Sequence, residues 1–149
     1  MIIANNTHLH ISTALKEAVT DYPTDGLLVE LKYCPKGSNR YISGTYYRKT
    51  PSREHGRLIR LRINRFNHYP MKIQFKTSEY VEKTDRLGRT QVYQKLRVEQ
   101  FHNAEDLTLA IFLHEFSHYL DHIEGRNGRY KQTKADKFAV EMLEKLEVI

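Results

Sequence analysis

The run from Ala104 to Ile123 constrains the fold of this chain more than any other stretch. Leu109, Leu113, Phe116, Leu120 and Ile123 recur at spacings of three and four, the period of an α-helix. Leu107 and Ile111 form a second line, which His114 and His118 continue over the next turns. A helix that is apolar around more than half its circumference is buried, so its histidine pair must face protein or a cleft. Asn103 is a good N-cap, and Glu105 and Asp106 suit the positive end of the helix. Gly125, Asn127 and Gly128 end it.

Within that helix stands His114-Glu115-Phe116-Ser117-His118. Two histidines four apart lie one turn above the other, so both imidazoles can reach one metal ion. The Glu between them can hold a water on that ion. These residue types at this spacing match the pattern in which a zinc ion lowers the pKa of its water and the Glu acts as general base. The competing reading is two helical histidines turned to solvent or hydrogen-bonded in a core.

Before the helix the period changes. Leu27 to Tyr33 reads as a strand, after a short apolar start at Met1 to Ala4 and a helix over Ser12 to Thr20 with Ser12 as N-cap. From Arg40 to Phe101 apolar and polar residues alternate by two: Tyr41 to Arg48, Leu58 to Asn64, Met71 to Ser78 and Val92 to Phe101. The Asp85-Arg86-Leu87-Gly88-Arg89 segment is a turn between the last two. Such alternation predicts an antiparallel-rich sheet with one face packed on helices and one face wet. A last helix is expected from Lys134 to Leu146, with Thr133 as its cap. The fold class is therefore α+β. No repeat or linker divides the chain, so one domain over residues 1–149 is expected.

Charge is unevenly distributed along the 149 residues. Residues 1–39 carry a net −1, residues 40–100 a net +10, and residues 101–149 a net −3. The wet face would display Arg60, Arg62, Lys72, Lys76, Lys95 and Arg97, which points to an acidic partner, nucleic acid first. Cys34 is the sole cysteine, so no internal disulfide is available and a cytoplasmic setting is expected. No apolar run approaches the ~20 residues of a membrane span, and a signal pattern is not seen at the start.

A catalytic zinc takes three protein ligands and leaves a place for water. His122 repeats the spacing of four, but it lies about 12 Å from His114 along the axis, too far to share the ion. Asp121 points along a neighbouring face, where it can orient a histidine or cap the helix. Asp136, on the next helix, is a carboxylate at the edge of an apolar surface and needs a partner; it either serves as the third ligand or caps back to Thr133. Gln132 lies one turn earlier and offers a carbonyl oxygen, which is a poor zinc donor.

The His114-Glu115-Phe116-Ser117-His118 stretch, followed by Lys134-Ala135-Asp136-Lys137-Phe138-Ala139, resembles small zincin-type zinc metallopeptidases. The ImmA/IrrE-like family is the nearer likeness and the SprT-like family a more distant one. The resemblance covers residues 58–146 loosely, and only the HExxH part is specific. It implies a zincin-like domain in which the HExxH helix is followed by a C-terminal helix. It also implies ligands at His114 and His118 and a catalytic Glu at Glu115. Asp136 falls where such folds hold a residue behind the ligands. The family's downstream Glu would fall on Gln132 or Lys134, neither of which is acidic.

Two functions are then expected. One is a zinc-dependent hydrolase of peptide or protein substrates, with zinc on His114, His118 and Asp136, Glu115 as base, and Tyr119 or Tyr130 as oxyanion helper. The other is a non-catalytic module that binds nucleic acid or an acidic protein through residues 40–100.

Overall fold

The computed structural model describes residues 1–48, 56–126 and 128–149. Among them the order is β1 (Ile2–Asn5), α1 (Ser12–Ala18), β2 (Leu27–Tyr33), β3 (Ile42–Tyr47), β4 (Arg57–Ile63), β5 (Met71–Thr84), β6 (Thr90–Phe101), α2 (Ala104–Ile123) and α3 (Lys131–Lys145). The α+β class holds, but the strands form two sheets. A four-stranded sheet has the order β1-β2-β4-β3, and β5 pairs with β6 in a separate hairpin. Within the basic middle of the chain the pairings, β3 with β4 and β5 with β6, are antiparallel as expected. The expectation of one antiparallel-rich sheet is corrected by β2, which lies parallel to both β1 and β4. The helix between β1 and β2 supplies the crossover that a parallel pair requires.

Burial follows the sequence periods. Leu27, Val29 and Leu31 of β2 and Ile59, Leu61 and Ile63 of β4 point into the core. Their partner is α2, whose Leu107, Ala110, Phe112, Leu113 and Phe116 are wholly buried. Each such aliphatic or aromatic side chain contributes about 1.5–3 kcal/mol by leaving water. The α2 bounds match expectation, and the Asn103 side chain accepts the Asp106 amide hydrogen at 2.8 Å as an N-cap. The Asn127 stop signal lies outside the described residues.

The hairpin runs further than its core. Met71, Ile73 and Phe75 alternate inward, but residues 78–93 are exposed throughout. The strand nevertheless continues past Ser78 to Thr84 after a register shift between Lys76 and Tyr80. Its turn is fixed by Asp85, whose carboxylate accepts the Leu87 and Arg89 amides. At the other end the hairpin grips α3: Gln94 donates to Thr133 Oγ1 at 3.0 Å, and Arg97 reaches Glu144 at 2.6 Å.

The last helix begins three residues earlier than its capping signal suggests. Its N-cap is Tyr130, in the left-handed region at φ 55° with no side-chain cap. Thr133 accepts from Gln94 and does not cap the helix. Gln132 is thereby helical, one turn before Asp136 and on the same face.

Candidate metal centre

Helix α2 brings His114 and His118 together edge to face, with ring centroids 4.9 Å apart. Their Nε2 atoms are 3.2 Å apart. Helix α3 supplies two side chains at i and i+4 that bracket the His114 ring. Asp136 Oδ1 lies 2.6 Å from Nδ1, and Gln132 Oε1 lies 2.8 Å from Nε2. Gln132 also lines the cleft together with His118. The carboxylate can only accept, so it holds the proton of neutral His114 on Nδ1 and turns the Nε2 lone pair toward His118 and Gln132. Two imidazole nitrogens and an amide oxygen then converge, and three lone-pair atoms so close need a proton or a cation among them.

Donors on a tetrahedral zinc with bonds of 2.0–2.1 Å stand about 3.3–3.4 Å apart. The 3.2 Å imidazole separation matches this closely, and the 2.8 Å amide contact needs to open by only a few tenths of an ångström. Among the described residues no group of three or more His, Cys, Asp or Glu side chains could hold a metal. The further polar atom beside the imidazole pair is an amide oxygen, that of Gln132.

Glu115 sits beside the pair, beneath β3. Gly44 makes this possible: a Cβ there would lie 2.7 Å from Ile111 Cγ2 and 2.8 Å from Glu115 Cγ. The strand thus passes over the helix at a distance that admits no side chain, and its neighbours Thr45 and Tyr46 form one wall of a cleft of about 300 Å³. Glu115, His118, His122, Lys131 and Gln132 line the other side.

The electrostatics differ from residue to residue. Burial pushes the Glu115 carboxyl above the usual range, and the nearby His114, the Tyr46 backbone and Lys131 recover only part of the shift. Burial disfavours charged His114, but the Asp136 hydrogen bond and the Glu115 and Asp136 charges outweigh it and raise its pKa. For His118, burial and the His114 and Lys131 charges lower it. At the far end of the cleft Tyr46 Oη lies 2.6 Å from His122 Nδ1, and burial drives the Tyr46 pKa to about 12.

The structure brings His114, Glu115 and His118 together, and sets Asp136 against the Nδ1 side of His114. Asp136 Oδ1 makes that contact, and its Oδ2 accepts the Lys76 amide at 2.7 Å. Both oxygens make these contacts away from the converging Nε2 atoms, an arrangement in which Asp136 orients the His114 ring. It does not cap back to Thr133. Asp121 pairs with Arg126 at 2.8 Å. Tyr119 is buried and donates to the Pro23 carbonyl, while Tyr130 is an exposed residue at the α3 start. Neither lines the cleft. Gly44 is the residue that sequence reasoning missed; a lone Gly inside a strand, as a mark of close backbone approach, was its available signal.

The basic residues do not form one face. Arg60 and Arg62 lie on the four-stranded sheet, and Lys72, Lys76, Lys95 and Arg97 on the hairpin. Arg60 pairs with Glu30, Lys95 with Glu79, and Arg97 with Glu99 and Glu144. Among the described residues no helix is long and apolar enough to cross a membrane. No protein-family model, curated protein or solved structure matches the chain.

Proposed function

We propose that this chain is a zinc-dependent hydrolase, a peptidase of the zincin type. The observation that carries the reading is the 3.2 Å approach of the His114 and His118 Nε2 atoms, with Glu115 buried beside them at a cleft. His114 and His118 would hold the ion, and Asp136 keeps the His114 lone pair aimed at it. A bound zinc would polarise the scissile carbonyl and acidify the attacking water. Glu115 accepts a proton from that water and returns it to the leaving amine. Its raised pKa suits a group that must keep the proton between the two events. β3 is an edge strand flanking the cleft. An extended peptide can add to that edge through main-chain hydrogen bonds.

The nucleic-acid reading has less behind it, because among the described residues Arg60, Lys95 and Arg97 are each paired with a carboxylate. The test is a zinc-loaded digest of a mixed peptide library, read by mass spectrometry for new termini. Wild type should cleave, and Glu115→Gln should lose at least about 100-fold in rate while retaining zinc. Equal cleavage by the variant would remove Glu115 from the chemistry.

A further inference from the structure

We propose that the side-chain amide oxygen of Gln132 is the third protein donor to the ion held by His114 and His118. The inference rests on the reading that a divalent cation binds at this pair. Three observations converge on it. Gln132 Oε1 is 2.8 Å from His114 Nε2, and that same nitrogen lies 3.2 Å from His118 Nε2, so the amide oxygen sits at the point where the two imidazoles approach each other. Asp136, the carboxylate that could compete for the role, has both oxygens occupied elsewhere, by His114 Nδ1 and the Lys76 amide. Gln132 and Asp136 are one turn apart on α3, so the fold that seats the carboxylate behind His114 necessarily seats the amide in front of it.

The consequence is chemical. Two imidazoles and an amide are all neutral, so no ligand offsets the charge of the ion. Glu115 and Asp121 are carboxylates lining the cleft, Asp121 paired with Arg126, and Lys131 adds a positive charge to the surroundings of Glu115. A neutral oxygen donor binds a divalent cation more weakly than a carboxylate does. The site is therefore one of exchangeable occupancy, and a single substitution, Gln132→Glu, should convert it to a tight one.

The experiment is a cobalt(II) titration of metal-free protein at one fixed pH, followed by visible absorption, on wild type, Gln132→Ala and Gln132→Glu. Gln132 is exposed on the first turn of its helix, and circular dichroism of each variant confirms that the fold is retained. The proposal expects one equivalent bound by wild type, with affinity at least about tenfold weaker in Gln132→Ala and at least about tenfold tighter in Gln132→Glu, and a shifted absorption band in both. Wild type and Gln132→Ala binding cobalt equally, with identical bands, would overturn the donor assignment alone. No binding by any of the three would overturn the metal reading together with it.

Discussion

At the scale of single residues, the site depends on what Gly44 lacks as much as on what Glu115 carries. A methyl group at Gly44 would sit 2.8 Å from Glu115 Cγ and 3.0 Å from its Oε1. Neither Ile111 nor Glu115 can retreat into a packed helix without cost. Gly44→Ala is therefore expected to destabilise the fold by roughly 1–3 kcal/mol, as overpacking does. It should also lower the turnover number by moving the carboxylate. Urea unfolding and a rate assay on the same preparation check both, and an unchanged midpoint would show that the strand can lift away freely.

Among the elements, α2 was fully legible because its signals agree: a cap at Asn103, an unbroken apolar period, and glycine at the end. α3 was not. Thr133 looked like the cap, whereas the helix starts from Tyr130 in a conformation that no local side chain stabilises. The hairpin's grip on Thr133 and Glu144 is a tertiary contact between residues far apart in sequence, and local pattern cannot reveal it. A helix start at Lys134 leaves Gln132 before the helix, so its spacing of four from Asp136 does not by itself put the two on one face. The parallel placement of β2 was hidden for a related reason, since burial alternation reports which face is covered and says nothing of strand direction.

The β2–β4 pair also carries a pH dependence. Glu30 bridges Lys32 at 2.8 Å and Arg60 at 2.9 Å. Burial alone would raise its pKa, but the hydrogen bonds and charges of Lys32 and Arg60 outweigh it and hold the carboxyl below its ordinary value. A depressed carboxylate stabilises the fold above its unfolded-state pKa of about 4.3 and loses that contribution as pH falls through the folded value. Glu30→Gln should therefore cost about 1 kcal/mol or less at neutral pH. Its melting temperature should converge with that of wild type as pH falls through the depressed folded-state value. A gap that persists in acid would mean that the ion pairs are not its source.

Over the whole molecule, the charge that looks concentrated in residues 40–100 is divided in space. Arg60 and Arg62 lie on one sheet and Lys72, Lys76, Lys95 and Arg97 on the other, with Arg60, Lys95 and Arg97 against carboxylates from β2, β5, β6 and α3. Steering by net charge survives this arrangement, but among the described residues these six cations do not share one sheet on which phosphates could track. Duplex DNA should accordingly bind only weakly at physiological salt, and neutralising Arg60, Arg62 and Lys95 together should change its affinity less than tenfold in a fluorescence-anisotropy titration. A submicromolar complex abolished by those changes would restore the nucleic-acid reading.

All of the chemistry assigned to this chain descends from two imidazoles on one helix turn, set at the spacing of metal ligands. The direct test is an equilibrium zinc measurement by chelator competition on wild type and His118→Ala. One zinc per chain in wild type, lost in His118→Ala, is the predicted result. Wild type that takes up none, or a variant that binds as well as wild type, would contradict it.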